Sequence, residues 1–376
     1  MKLYLVAGEA SGDARGAELI RSLRERREGV EIHGFGGPQM AALTGAGAVH
    51  DWIERAGVIG IIDVVKHYGF FKRQFAVALE EIAREKPQAV VLIDYPGFNL
   101  RLAAALKKAV TTAKVIDFIS PQVWAWNPGR IPKMAQILDL MICIFPFEKP
   151  LYEQSGLKCV FVGHPMLDSL AETRIDREDN LLGLFPGSRE REVGKIYPVM
   201  LETARLLAKG RPGLRIEAAA PSAEMRERME EIGRGYPDVR CEVGVKTSHA
   251  LMQRAMAGMV ASGTATLEAA YFGLPFVVLY KAAWLTFAIG RRLVKVKWLG
   301  MPNILADREV VREFLQEDAR PAAVAAALAP LLDDAEARTA LQESLKTVIA
   351  RLGAPGASGR AADAILAELK KAPPPE

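Results

Sequence analysis

The sequence predicts an α/β protein of two doubly wound domains that face each other across a cleft. Three observations predict it. Short apolar runs alternate with amphipathic helical patterns along the chain; the alternation pauses at a polar stretch, 171–180, and restarts; and 376 residues exceed one ordinary domain but suit two. Short buried strands alternating with helices imply parallel sheets built from right-handed crossover units. In such sheets ligands bind beyond the carboxyl ends of the strands, so function is sought in the turns that follow them.

Lys2–Ala7 reads as the first strand and runs into the turn V-A-G-E-A-S-G-D, 6–13. Ala14, Ala17, Ile20 and Leu23 then recur at threes, a helical stripe over 14–26. The turn is not G-x-G-x-x-G, and G-x-x-x-x-G-K-[ST] occurs nowhere, so dinucleotide and P-loop motifs are excluded. Gly8 and Gly12 permit a tight turn, and Ser11 suits a helix cap. Glu9 is either part of that turn or an acid facing the cleft. A second strand, 31–35, precedes the glycine-rich loop G-F-G-G-P at 34–38. After a helical stretch, 75–84, the strand 89–94 ends abruptly on Asp94, with the turn formers Pro96 and Gly97 close behind. Asp94 either terminates the strand or stands at the mouth of a site as a base. Residues 100–109 are helical, and 115–119 and 140–145 are strands. Between those strands the loop S-P-Q-V-W-A-W-N-P-G-R, 120–130, carries two tryptophans that either pack beneath it or form a platform for a sugar or acyl chain.

The second domain repeats the alternation: strand 181–185, helix 193–209, strand 214–219, helix 222–233, strand 256–261, helix 264–272, strand 275–280. Its first turn is P-G-S-R-E-R-E, 186–192, where Gly187 and Ser188 place backbone N–H groups at a helix start, a natural anion site. Arg189 adds a forked charge suited to phosphate oxygens; the plainer reading is an N-cap beside a solvated arginine. In S-G-T-A-T-L-E-A-A, 262–270, Ser262, Gly263, Thr264, Ala265 and Thr266 supply hydroxyls and amides, and Glu268 lies on a nearby helical face. A phosphate on the amides and a ribose hydroxyl on Glu268 account for these residues, as in part does a simply capped helix. Two anion-suited turns in one domain favour the nucleotide reading.

Half the residues are hydrophobic and a quarter charged, as in ordinary soluble proteins. A net charge of +4 without a basic block gives no reason to expect a nucleic-acid partner. Cys143, Cys159 and Cys241 are scattered and read as small buried hydrophobes rather than as zinc ligands or a disulfide framework. No D-x-D pair offers a metal site, and no metal or other cofactor is expected. The opening M-K-L-Y-L-V-A-G-E lacks the parts of a signal peptide, so a cytoplasmic protein is expected. Two stretches, 58–73 and 284–300, mix apolar, aromatic and basic residues. They are either core or segments that lie on an anionic membrane surface, with Ile59, Ile61, Val64, Phe70, Phe71, Lys72 and Arg73 as the contact residues of the first.

These motifs together resemble the lipid-A-disaccharide synthases, a family of bacterial glycosyltransferases. V-A-G-E-A-S-G-D, G-F-G-G-P-Q-M, I-D-Y-P-G-F-N, S-P-Q-V-W-A-W, F-P-F-E-K, F-V-G-H-P-M, F-P-G-S-R, A-S-G-T-A-T-L-E and M-P-N-I-L-A, with R-E and F-L-Q-E after it, follow in order between residues 6 and 317. The resemblance implies the GT-B fold and an inverting transfer of 2,3-diacylglucosamine from its UDP derivative to 2,3-diacylglucosamine 1-phosphate, releasing UDP and forming a β(1→6) disaccharide. It implies Asp94 as base, Arg189 with the amides of 187–188 and 262–265 on the diphosphate, Glu268 on ribose, and Gly8, Glu9, Ser11, Asn99, Trp126, Asn303 and Gln316 as acceptor or cleft residues. It also implies peripheral contact with inner-membrane lipids on the cytoplasmic face; a homodimer is compatible with it. The domains are then 1–172 for acceptor and membrane, 173–345 for UDP, and 346–376, a C-terminal helix that could pack back on the first domain and end in a disordered tail. The loop N-P-G-R, 127–130, is less basic than the family leads one to expect, and the linker is short. Two rivals share features of this pattern: another GT-B enzyme of UDP-sugars, such as a UDP-N-acetylglucosamine 2-epimerase, and a non-catalytic membrane-binding protein.

Overall fold

Apolar pentapeptides such as A-V-V-L-I and A-G-M-V-A can be satisfied only as strands covered on both faces, and both are buried throughout as β4 (Ala89–Ile93) and β11 (Ala257–Ala261). The structure is a computed structural model that describes residues 1–56, 68–109, 112–170, 175–281 and 297–370. The chain divides into two units, Met1–Leu170 with Leu352–Glu376, and Ala171–Arg351.

In the first unit, β1 (Lys2–Ala7), β2 (Glu31–Gly36), β3 (Val49–Asp51), β4, β5 (Lys114–Phe118), β6 (Leu140–Cys143) and β7 (Cys159–Phe161) form a parallel sheet in the order β3-β2-β1-β4-β5-β6-β7. In the second, β8 (Leu181–Phe185), β9 (Arg215–Ala220), β10 (Cys241–Val245), β11, β12 (Phe276–Tyr280) and β13 (Glu313–Leu315) run parallel in the order β10-β9-β8-β11-β12-β13. Both orders reverse at a central pair, β1 with β4 and β8 with β11. A crevice opens at such a reversal, where the crossovers leave in opposite directions.

Several elements differ from the sequence expectation. The first helix is Ala10–Arg26, four residues longer at its start, with Glu9 as N-cap and no side-chain cap bond. Ser11 therefore lies inside the first turn and does not cap it. The helix expected at 75–84 is Tyr68–Glu85. Strands β3, β10 and β13 and the helices Pro321–Asp333 and Ala335–Ala350 were not read from the sequence. The three strands are short or, in β10, only half-buried. All three are edge strands of their sheets, so neighbouring strands define them more than their own patterns do. The terminal helix Ala357–Lys370 lies along Ala10–Arg26, with Ser358 donating to Glu18 (3.2 Å) and Arg26 to Asp363 (2.7 Å). Gly163, at φ +86°, clears its path: a Cβ there would stand 2.8 Å from Arg360 and 3.1 Å from the Leu352 carbonyl. Cys143 and Cys159 are buried and Cys241 half-buried, all three as free thiols.

Candidate active site

In the first unit the candidate residues gather at the carboxyl edge of β1 and β4, paired through Ala7 and Ile93. Asp94 and Tyr95 both take left-handed backbone, at φ +50° and +51°. This turns the chain off the strand and into the helix Pro96–Lys108, whose proline stands in the first turn where no N–H is needed. The Asp94 amide donates to the Phe118 carbonyl (3.0 Å), and its own carbonyl accepts from Asn99 Nδ2 (2.7 Å). The tyrosine ring stands where a side chain on residue 8 would be, 2.3 Å from that notional Cβ, so only glycine lets the two turns meet. Burial first, then the negative charge of Glu9, hold the Asp94 carboxyl above the ordinary range, while the Tyr95 amide opposes them. A raised carboxyl is the stronger base.

Two further acids lie behind it. Asp117 on β5 is buried, and burial, then Asp94, then Glu148 push it well up. Glu148 is fully buried; it accepts from Trp124 Nε1 (2.9 Å) and the Phe145 amide (3.1 Å), and desolvation raises it to about 7. It thereby ties down the turn that ends in Trp126, which is 40 % exposed and carries the Arg130 guanidinium 4.8 Å over its ring. The tryptophans thus divide between the two readings of their loop, Trp124 fastened and Trp126 presented.

In the second unit the candidate residues gather at the edge of β8 and β11, paired through Phe185 and Val260. Gly187, at φ +103°, turns the chain so that Ser188 and Arg189 stand exposed at the start of the helix Glu190–Ala208. Beside it, Gly263 (φ +138°) starts the helix Thr264–Tyr271 with Thr264 exposed and Ala265 half-buried. First-turn amides have no acceptor within their helix and carry its positive end, so both turns present amides to an anion. Arg189 lies 3.0 Å from Glu192. Glu268 is half-buried, 3.6 Å from His249 Nε2.

Not every expected residue stands free at these edges. Thr266 is buried; its hydroxyl donates to the Gly263 carbonyl (2.7 Å) and accepts from the Met301 amide (3.3 Å), so it braces the turn. Ser262 donates to the Leu299 carbonyl (3.1 Å). Asn303 is buried with both ends engaged: it donates to the Val311 carbonyl and Glu313 (2.8 Å each) and accepts from the Val310 and Val311 amides. It is a tie within its unit. Asn99, also buried, braces the Asp94 turn from beneath through Nδ2. Gln316 follows β13 in left-handed backbone at φ +50°. Phe70 and Phe71 pack on Trp52, at 6.3 Å between ring centroids, while Lys72 and Arg73 are exposed. Ile59, Ile61 and Val64 lie outside the described residues.

Sequence reasoning missed Asp13. It is buried and accepts from the amides of Gly37 (2.9 Å), Gln39 (3.0 Å) and Met40 (2.9 Å), locking the G-G-P-Q-M loop to the first helix. Its signal was available as the one acid on the buried stripe of that helix. Asp117 and Glu148 had no comparable signal, because strands and turns of other elements make their surroundings.

Two Rossmann-ordered units, one with carboxylates at its central edge and the other with anion-suited turns, define a protein of the GT-B fold class. Solved structures share the fold: S. aureus MnaA in its UDP co-structure (TM-score 0.65, 13% identity, covering 99% of this chain and 98% of that one), and the UDP-GlcNAc 2-epimerase of Neisseria meningitidis bound to UDP-GlcNAc (TM-score 0.55, 12% identity, 99% and 100% covered). At those identities the likeness concerns fold alone. The chain belongs to the lipid-A-disaccharide synthetase family, which it matches over residues 3–365. The lipid-A-disaccharide synthase of Trichlorobacter lovleyi is 39% identical over 385 residues, covering 98% of each chain. Among the described residues, no helix is long and apolar enough to cross a membrane.

Proposed function

We propose that the protein is an inverting glycosyltransferase that moves 2,3-diacylglucosamine from UDP to the 6-hydroxyl of 2,3-diacylglucosamine 1-phosphate, yielding the β(1→6) disaccharide 1-phosphate and UDP. The observation that carries this reading is the match to a single enzyme family along nearly the whole chain. The epimerase alternative draws support from fold alone and is not favoured.

In this reading Asp94 takes the proton of the acceptor hydroxyl as the new C–O bond forms on the face opposite the leaving group. Its left-handed turn, braced by Asn99, sets where the carboxylate points, and burial keeps it basic. Arg189 and the amides after β8 and β11 neutralise the departing diphosphate, a stabilisation aimed where charge develops. Glu268 holds a ribose hydroxyl. Trp126 offers an exposed ring to the acceptor sugar or its acyl chains. Membrane contact through Phe70, Phe71, Lys72 and Arg73 fits substrates that carry acyl chains, and the two basic side chains are exposed for it.

The test is incubation with UDP-diacylglucosamine and the monosaccharide 1-phosphate in detergent micelles. UDP and disaccharide are expected together, and neither when one substrate is omitted. Epimerisation of UDP-N-acetylglucosamine with no disaccharide would overturn the reading.

A further inference from the structure

Glu192 stands in the wrong place for a loop built to receive an anion. It is the third residue of the helix Glu190–Ala208, where an acid ordinarily reaches back to the N-cap amide. Here Oε1 instead takes the Arg189 guanidinium at 3.0 Å. Oε2 turns back over the β8 turn: a Cβ on Gly187 would lie 3.4 Å from it and 3.6 Å from the Ala261 side chain at the end of β11. Tyr280, the last residue of β12, borders the same ground; its phenol is pushed up by burial, then by Glu192, with Arg189 opposing. The carboxylate therefore lies over the Gly187 turn, which itself stands next to Ala261 at the end of β11.

We propose that Glu192 is a resident anion of this loop, which holds Arg189 in the empty site and competes with the diphosphate for it, so that it weakens nucleotide binding and speeds UDP release. The inference rests on the reading of the loop as the diphosphate site. The Arg189 nitrogen that donates to Glu192 is withheld from incoming phosphates, and the fixed charge of Glu192 repels them. Both effects loosen a product that carries its full charge after transfer. An exposed pair with nothing to displace it would be a helix ornament of little consequence; a pair at the mouth of an anion site acts on whatever anion enters.

UDP affinity and dissociation rate are measured by calorimetry and stopped flow on the full-length wild type, Glu192→Gln, Arg189→Ala and the double variant, with melting temperatures as a check on folding. Glu192→Gln is expected to bind UDP about five-fold tighter and to release it correspondingly slower, the scale of one exposed charge pair. In the Arg189→Ala background the same change is expected to do distinctly less, since the competed guanidinium is gone. A merely structural Glu192 would not produce that coupling. Glu192→Ala serves as a second neutral variant: tightening in either supports the inference, and tightening in neither overturns it. If Arg189→Ala binds UDP as wild type does, the diphosphate reading of the loop fails instead. If Arg189→Ala binds weakly while both Glu192 variants stay unchanged, only the role of Glu192 fails.

Discussion

The carboxyl edge at β1 and β4 and the edge at β8 and β11 are the same place in the same strand order, yet their chemistry is opposite. The first gathers Glu9, Asp94, Asp117 and Glu148, with Asp117 and Glu148 buried deeply enough to rise in pKa. The second gathers glycines, exposed hydroxyls, first-turn amides and Arg189, open to solvent. Topology thus chooses where ligands meet a doubly wound sheet, and the turn residues choose the task. A base needs a carboxylate pulled partly out of water, whereas a diphosphate needs donors whose own partners are missing. Burial sharpens the first edge; exposure keeps the second available.

The sharpest break in this contrast is Asp94→Asn, which removes the base and leaves the turn. Turnover is expected to fall about 10³-fold, within the usual range for a lost general base, while UDP affinity measured by calorimetry stays at the wild-type value. Retained turnover would return Asp94 to a strand terminator. Next in size is Asp13→Ala. It strips three amides, two of them buried, of their acceptor, so urea unfolding is expected to show about 3 kcal/mol lost. A loss below about 1 kcal/mol would mean that water replaces the carboxylate. On the other edge, Arg189→Ala is expected to weaken UDP about ten-fold, the scale of one charged hydrogen bond, and to flatten the salt dependence of binding. The smallest effect tests the coupling of acids. Glu9 raises Asp94, and the base works only when ionised, so kcat/KM falls as pH drops through the Asp94 pKa. Glu9→Gln should move that limb to lower pH, by less than about one unit, because desolvation is the larger cause. A limb that moves upward, or stays, would show that Glu9 does not face Asp94 in the working enzyme.

The alternation of buried pentapeptides with helical stripes made both sheets legible, since period and length are local properties. The turns after β1, β4, β8 and β11 were legible too, because glycine, proline and hydroxyl residues mark the backbone they permit. Edge strands were not: β10 is half-buried and β3 and β13 are three residues long, so their hydrogen-bonding neighbours define them. Nor could the pattern tell which polar residue of a motif faces a ligand. Asn303 and Thr266 sit in motifs as recognisable as that of Arg189, yet their capacity is spent inside the fold.

By itself the sequence determined the fold class, the family and the short list of turns in which the chemistry resides. The tertiary structure alone decided which residues of those turns keep an unsatisfied or perturbed group. Asp94 rises because burial and Glu9 act on it, and Glu148 because burial outweighs its donors. Desolvation and partner geometry are sums over neighbours distant in sequence, and no local pattern contains them.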